Sequence, residues 1–351
     1  MAERGMGQMS LADHLAREVV PGNEFLERVA ALVDWRAIEE VLAPLRSGRM
    51  GAPAYPSLVL VKALLLQQWH GLSDPGLEAA LADRLSFRWF LGVPLDQRMP
   101  DHSTIWRFRE QLAKSGLAET VFAGVTDQIE AAGLVLKKGT LIDASLIPAA
   151  VNKPAPPIEP GPRAPDSRDA GQPAAEAARQ ASDGRPASKL VRHPRDPDAA
   201  WVNKNGRYTF GYKAHVGLDM TSRIVRRVAL TAANVMETSC ADALICGDER
   251  AVYADKAYDS KARRQALAAR GVRNRIMRRW HWRWKPPGRW QLRRNALLIK
   301  RRAPIEPLFA LLKGTYRFAR ARYRGLARNA AALHLAVTAM NLRRWTVLAS
   351  I

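Results

Sequence analysis

The sequence is poor in cysteine and contains no long apolar run. Its two cysteines, Cys240 and Cys246, have no histidine at ligand spacing, so neither a zinc site nor a disulfide framework is predicted. The best apolar stretch, residues 57–71, is interrupted by Lys62 and is too short to span a bilayer. The N-terminus also lacks the apolar region of a secretory signal, and we therefore expect a cytoplasmic protein.

Acidic residues are scarce as well. The 351-residue chain has 55 Lys and Arg against 33 Asp and Glu, which gives a formal net charge of +22. Such an excess predicts a polyanionic partner, either nucleic acid or an anionic surface. The hydrophobic content of 47% is enough for a sizeable core, and the length allows two domains.

The first part of the chain has a helical pattern. Short helical periods punctuated by turns at 25–135 predict a helical N-terminal domain, preceded by a flexible segment at 1–24. In the last of these helices, within 100–116, Arg107 and Arg109 point away from the apolar face. They are candidates for DNA contact, and an ordinary solvated surface is the alternative.

Strand patterns follow the helical region. Apolar, β-rich segments lie at 139–149, 207–219, 222–233 and 251–260, and a tight turn predicts a hairpin between the second and third. Residues 151–200 are dense in Pro, Ala, Gly and charge, and we predict a disordered insertion there. Strands pairing around helices predict a mixed α/β domain over 136–351.

Two aspartates interrupt segments that otherwise favour burial. Asp143 lies within the strand pattern "TLIDASLIPA", and Asp255 ends "VYAD". Asp259 and Ser260 stand where the next helix needs an N-cap, which explains them economically, but Asp255 comes too early for that role. A carboxylate at the end of a buried strand costs free energy unless a cation or a donor compensates it.

Glu306 is a third candidate carboxylate. It falls in the first turn of a predicted helix that starts near Pro304, with Lys313 two turns further along the same face. A favourable interaction with the helix dipole is the alternative explanation. Three converging carboxylates would repel unless divalent metal held them together. Oxygen ligands favour Mg²⁺ or Mn²⁺, and a pair of such ions serves phosphodiester chemistry.

Basic and aromatic residues are interleaved at 272–302. Arginines there can contact phosphates and tryptophans can stack on bases; the candidates are Arg278, Arg279, Arg283 and Trp282. The alternating tryptophans fit one face of a β-hairpin equally well. A second basic run at 316–329 is expected to continue the helix of Glu306, which would bring Arg320, Arg322 and Arg324 close to the acidic residues.

Two further polar residues share a strand face. Lys213 and His215 alternate onto one face of the segment 207–219, and we expect that face to neighbour Asp143. For His215, a structural histidine hydrogen-bonded within the sheet is the simpler interpretation. Lys256, directly after Asp255, is a candidate phosphate contact.

Several separate blocks together carry a family resemblance. "GTLIDAS", "FGYKAHVGLD", "LTAAN", "YADKAYDS" and "IEPLFALLKGTYRFARARYRGLARN" resemble, in this order, transposases of the IS5 group within the IS4-type DDE family. The resemblance runs from about residue 45 to the C-terminus, the insertion excepted. "DHSTIWRFREQL" is similar to the N-terminal domain of that family.

The resemblance implies a fold, an activity and a site. It implies an RNase H-like mixed sheet flanked by helices, with Asp143, Asp255 and Glu306 as the DDE triad. The family signature places an arginine four residues before the glutamate and a lysine seven after it, and Arg302 and Lys313 fill those positions. Seven residues before the glutamate, where the family pattern has a tyrosine, this chain has Ile299; the departure concerns a stacking or strand-positioning role at that site and leaves metal binding unaffected.

The implied function is DNA transposition. Such an enzyme cleaves at the terminal repeats of its element and joins the 3′ ends to target DNA, using two Mg²⁺ or Mn²⁺ ions. Its partners would be double-stranded DNA and further copies of the chain, since a homodimer or larger synaptic assembly must bring two ends together. A catalytically inactive DNA-binding relative and a nuclease of the same fold are the alternatives.

Overall fold

The computed structural model describes residues 11–45, 54–152, 195–204, 206–278 and 288–350. Arg279, Trp282 and Arg283, together with residues 153–194 of the predicted insertion, lie outside these ranges. The N-terminal helices are α1 (Leu11–Val19), α2 (Glu24–Leu32), α3 (Trp35–Leu42), α4 (Ser57–His70), α5 (Asp74–Asp83), α6 (Leu85–Leu91), α7 (His102–Ser115) and α8 (Leu117–Ala131). Helix α1 occupies part of the segment that the sequence predicted to be flexible.

The boundaries of these helices follow local capping chemistry. Helix α4 ends at Gly71, whose left-handed φ of +60° suits glycine, which has no Cβ to clash. Ser73 caps α5 by accepting a hydrogen bond from the backbone N–H of Gly76. Asp101 caps α7, because its Oδ1 accepts from the N–H of Thr104 at 2.7 Å.

The second half of the chain forms one mixed sheet. Its strands are β1 (Thr140–Pro148), β2 (Ala200–Lys204), β3 (Arg207–Asp219), β4 (Val225–Ala232), β5 (Ala251–Tyr253) and β6 (Arg273–Asn274). The order is β2-β3-β1-β5-β6, and β4 also pairs with β3. The pairs β1/β3, β2/β3 and β3/β4 are antiparallel, whereas β1/β5 and β5/β6 are parallel. The predicted mixed α/β class and the β3–β4 hairpin are confirmed.

The helices that follow β4 differ in part from the sequence prediction. They are α9 (Glu237–Cys240), α10 (Lys261–Ala269), α11 (Arg289–Arg302), α12 (Glu306–Lys313) and α13 (Leu326–Leu348). Helix α11 begins well before residue 304, where the helical pattern was expected to return. Residues 314–325 form turns and bends rather than a continuation of α12, so that expectation is wrong.

Both faces of the sheet are buried, and successive residues of β1 point alternately to one face and the other. Leu141 joins the larger core, which the N-terminal helices and α13 share with the sheet. Ile142, its neighbour, faces the opposite side and packs in a smaller core with Leu267 of α10 and with Tyr258. The sheet and the helical region therefore share the larger core.

Helix α13 joins the two halves of the molecule. On one side, Trp69 of α4 donates its indole N–H to the carbonyl of Ala339 at 2.9 Å. On the other side, the Asn341 side chain accepts from the N–H of Val225 at 3.0 Å and donates to its carbonyl at 2.8 Å. Strand β4 thus has its first backbone groups satisfied by a helix rather than by a further strand.

Candidate active site

Asp143 lies in the middle of β1 and is mostly buried. Its Oδ1 accepts a hydrogen bond from the N–H of Ala144 at 2.9 Å, and its Oδ2 accepts one from Nη2 of Arg302 at 3.2 Å. Burial raises the pKa of the Asp143 carboxyl; Arg302 and the Ala144 N–H act against this, while Glu237 and Asp255 add to it. The charged form is therefore held at a cost that a cation would relieve.

Asp255 stands beside Asp143 because of the strand register. The parallel pairing aligns Leu141 with Tyr253, and two residues further along each chain come Asp143 and Asp255. Because β1 and β5 run parallel, Asp143 within β1 and Asp255 just after β5 lie at the same level of the sheet, which we call the aspartate edge. Asp255 Oδ1 also accepts from the N–H of Lys256 at 2.6 Å, where it caps the short 3-10 turn Lys256–Tyr258.

Arg302, the last residue of α11, reaches both aspartates. Its Nη2 is 3.2 Å from Asp143 Oδ2 and its Nη1 is 3.9 Å from Asp255 Oδ1. Its side chain is only 15% exposed, and Nη1 also lies 3.8 Å from the sulfur of Met277. The guanidinium therefore compensates the charge of the aspartate pair.

Glu306 is not brought together with the aspartates. It opens α12 with an exposed side chain, separated from Arg302 by the 3-10 turn Ala303–Ile305. In the described part of the chain, just one group of three potential metal ligands lies within 4.8 Å, and it does not include Glu306. The first-turn position of Glu306 suits a helix dipole. Lys313, at the other end of α12, is half-buried, and burial lowers its pKa.

The group that does meet this distance criterion is Cys246, Asp248 and Glu249. Arg226 occupies it, since its Nη1 and Nη2 each lie 2.8 Å from an oxygen of Asp248. A guanidinium bound to both carboxylate oxygens leaves little room for a metal ion. We interpret this group as a structural ion-pair network.

An open cleft of about 550 Å³ lies beside Asp255. Glu237, Lys213 and Lys256 are among its lining residues. Lys213 is buried; its Nζ donates to the carbonyl of Val235 at 2.8 Å and lies 3.9 Å from Glu237 Oε1. The cleft thus contains both signs of charge next to the aspartate pair.

Lys213 and His215 do not share the face of Asp143, so that expectation is wrong. The β1/β3 register pairs Asp143 with Val216, which places the odd-numbered residues of β3 on the opposite face. His215 is fully buried, with Nε2 2.9 Å from the Thr231 hydroxyl. Burial, with help from Lys213, lowers the pKa of His215 to about 4, so it is neutral and structural.

Three of the arginines expected near DNA or near the acidic residues have structural roles. Arg109 is buried, with its guanidinium bound to Asp74, so its predicted exposure is wrong. Arg320 donates to the carbonyls of residues 149–151, and Arg322 to that of Leu72. Arg320 and Arg322 thus stabilise the turns at 314–325. These turns stand where a continuation of α12 would have carried both arginines to the aspartates.

Other predicted DNA-contact residues remain available at the surface. Arg107, Lys256, Arg278 and Arg324 are exposed. Arg107 is hydrogen-bonded through Nη2 to the Ser103 hydroxyl at 3.2 Å. Helix α11 adds a mostly exposed basic surface immediately before Arg302.

Two residues of the aspartate edge were missed by the sequence reasoning. Glu237 lies in the first turn of α9, shortly after β4, and Tyr258 lies three residues after Asp255. The sequence did hold a signal for Glu237, an acidic residue in the first turn of a helix that follows a strand. That signal resembles the one used for Glu306. Tyr258 gave no signal, because a tyrosine among apolar residues is typical of any core.

A mixed sheet whose adjacent parallel strands bring two aspartates side by side, in a strongly basic chain, is the arrangement of an RNase H-like nucleic-acid-processing enzyme. Comparison with family models agrees. Residues 137–342, more than half of the chain, match the Transposase DDE domain, and residues 14–111 match the Transposase domain (DUF772).

The chain therefore belongs to the DDE transposase family: it is a transposase that acts on DNA and depends on divalent metal for strand cleavage and transfer. No solved structure matches it. Among the described helices, none is long and apolar enough to cross a membrane.

Proposed function

We propose that this transposase cleaves DNA at the terminal repeats of an IS5-type insertion sequence and joins the freed 3′ ends to target DNA. In this proposal Asp143, Asp255 and Glu306 form the metal-binding triad. The observation that supports it best is the parallel register that sets Asp143 beside Asp255, with Arg302 on both carboxylates. Two Mg²⁺ or Mn²⁺ ions are the proposed cofactors.

The residues at this edge fit such ions. Their donors are carboxylate oxygens, which hard divalent cations prefer, and Asp143 is a mostly buried carboxylate whose pKa burial raises. Bound there, the ions would supply the charge that activates a nucleophile and stabilises the leaving 3′ oxygen. Completing the triad requires Glu306 to approach the aspartates.

The chain's own groups would hold and orient the DNA. Arg302 balances the two aspartates and has further N–H donors for a phosphate. Lys256, exposed at the cleft, and Arg278 would contact the DNA backbone, and the exposed basic face of α11 would extend that track. Because two element ends must be held together, we infer a homodimer or a larger synaptic assembly.

The test is a cleavage assay on a labelled fragment that carries the element's terminal repeat, with Mg²⁺, Mn²⁺ or EDTA. Wild type should nick at the repeat boundary only with metal, and Asp255→Asn should bind the fragment without nicking it. Asp127→Asn, at an exposed position of α8, is the matched control and should nick like wild type.

Two results would contradict the proposal. If wild type and Asp255→Asn bind the fragment equally, and wild type does not nick it with either metal, the protein is an inactive DNA-binding relative. Metal-dependent nicking without any joined product, when target DNA is also supplied, would indicate a nuclease.

A further inference from the structure

The cleft beside Asp255 lies on the face of the sheet opposite to Asp143. Five strand residues line it: Ala144, Leu146, Val202, Lys204 and Lys213. Each of them is, or pairs with, an odd-numbered residue of β3, so all five share one face, whereas Asp143 pairs with the even-numbered Val216. Ile142 of the same face packs in the smaller core, and beyond it this face opens into the cleft.

This cleft, which we call the lysine cleft, carries uncompensated positive charge. Its charged lining residues are three lysines and two acids: Lys204, Lys213, Lys256, Glu237 and Asp255. Each acid already has a cation beside it, since Lys213 Nζ is 3.9 Å from Glu237 Oε1 and Arg302 Nη1 is 3.9 Å from Asp255 Oδ1. Lys204 and Lys256 are exposed, and in the described part of the chain neither has an ion-pair partner. Two free positive charges at an open surface suit a polyanion.

The other lining residues of the lysine cleft suit a DNA backbone. The volume is about 550 Å³ and the cleft is open, so a strand can lie in it without entering an enclosed pocket. Half-buried Leu146 and Val202 offer apolar contact to sugars, and the exposed Asn203 offers an amide donor to a phosphate oxygen. Lysine meets phosphate as a point charge, and contacts to the backbone carry no sequence information directly. The cleft can therefore hold DNA of many sequences.

Strand transfer needs two DNA segments at one place. The 3′ hydroxyl oxygen of the element end forms a bond to a target phosphorus, and the bond from that phosphorus to the target's own 3′ oxygen breaks. The attacking hydroxyl gives its proton to solvent, and the leaving oxygen takes one up. Because the attacking and leaving oxygens are in line, on opposite sides of the phosphorus, the two DNA segments approach from different sides.

The structure has a basic surface on each side of the aspartates. Helix α11 lies on the Asp143 side, because its Leu298 packs in the larger core with Leu141 and its Arg302 binds Asp143. The exposed basic face of α11 leads to the aspartates from there. The lysine cleft reaches Asp255 from the opposite face of the sheet.

We propose that the lysine cleft is the target-DNA site of this transposase, with Lys204 and Asn203 holding the target backbone beside Asp255. The element end occupies the α11 side. Lys256 stands between the two surfaces and contacts DNA in both steps. Because the cleft contacts phosphates rather than base edges, the target is bound with little dependence on its sequence. The inference rests on the proposed function, in which the aspartates carry out both cleavage and joining.

The test uses the full chain with Mg²⁺, a labelled terminal-repeat fragment that ends in a free 3′ hydroxyl, and increasing amounts of an unrelated duplex as target. Lys204→Gln should raise the target concentration for half-maximal joining by about threefold or more, while binding and nicking of an uncleaved repeat fragment stay unchanged. Lys204→Arg keeps the charge and should join like wild type.

Two further variants separate the two surfaces. Arg293→Gln, on the exposed face of α11, should weaken binding of the repeat fragment and leave the half-maximal target concentration unchanged. Lys138→Gln is the matched control, because Lys138 is an exposed lysine just before β1 and does not line the cleft. It should behave like wild type in binding, nicking and joining.

The outcomes separate this inference from the proposed function. If Lys204→Gln weakens binding of the repeat fragment but leaves the half-maximal target concentration unchanged, the cleft holds the element end and the inference is overturned. If Lys204→Gln behaves like wild type in every step, the cleft takes no DNA and the inference is again overturned. The proposed function stands in both cases, since wild type still nicks and joins. If wild type joins the fragment to no target, the proposed function fails and the inference fails with it.

Discussion

Arg226 should be among the most stabilising charged residues of the fold. Its side chain is only 3% exposed, and it makes three hydrogen bonds of 2.8 Å, one to Glu130 of α8 and two to Asp248. Each charge-assisted bond contributes about 1.5–3 kcal/mol. Because Asp248 is 39% exposed and regains water, Arg226→Met should lower the free energy of unfolding by about 3–5 kcal/mol rather than by the sum.

The adjacent arginine provides the control. Arg227 follows in the same strand but faces solvent, so Arg227→Met should change the free energy of unfolding by less than about 0.5 kcal/mol. Urea denaturation near neutral pH, followed by circular dichroism, measures both variants. A loss below about 1 kcal/mol for Arg226→Met, or equal losses for the two variants, would refute the reasoning.

Acid should reduce the difference in unfolding free energy between Arg226→Met and wild type. Hydrogen bonds from Arg226, and then from Lys137, hold the pKa of Asp248 well below its ordinary value of 3.8. A carboxylate with a lowered folded-state pKa stabilises the fold above that ordinary value and loses this contribution as pH falls further. The stability difference should therefore be constant near neutral pH and shrink as the pH drops below about 4.

Three further predictions concern packing, a helix end and DNA contact. Leu64→Ala removes a fully buried side chain and should cost about 2–5 kcal/mol of unfolding free energy, whereas Leu297→Ala, at 64% exposure, should cost little. Gly71→Ala forces a side chain into a φ of +60° and should cost about 1–2 kcal/mol, while Gly288→Ala, in open space, should be near neutral. Lys256→Gln should weaken DNA binding and reduce the salt slope by about 1.

Each of these predictions has a clear contrary result. Equal urea midpoints for the two leucine variants would contradict the assigned core. An unchanged melting temperature for Gly71→Ala would show that the left-handed helix end tolerates a side chain. An identical dependence of log K on log salt for Lys256→Gln and wild type would remove that lysine from the phosphate contacts.

Local patterns were sufficient for much of the sheet and for the aspartate pair. Alternation and β-rich composition predicted β1, β3 and β4, and a carboxylate inside an apolar strand was enough to single out Asp143 and Asp255. Both signals are local, because period-2 burial and the cost of an uncompensated charge are felt within one segment. The register that joins the two aspartates was not readable from either strand alone.

The errors came from contacts between distant segments. Arg109 is buried because Asp74, 35 residues earlier, pairs with it. Strand β2 directly follows the predicted insertion, and its sequence alone does not distinguish it from the end of a linker. It becomes a strand because it pairs with the first residues of β3. Helix α11 is so rich in arginine that its pattern suggested a DNA-binding surface rather than a helix. Glu237 was overlooked because its neighbours come from other strands.

The contact between Trp69 and Ala339 also bears on how the chain is made. The two residues are 270 positions apart, and the first helices need α13 to cover their apolar faces. At about 5–20 residues per second, the ribosome needs roughly 15–50 s to synthesise that interval. During that time the apolar surface of the newly made helices remains exposed to solvent, so chaperone supply should limit the yield of active enzyme. A premature stop codon before α13 should give an insoluble product instead of a shortened DNA-binding fragment.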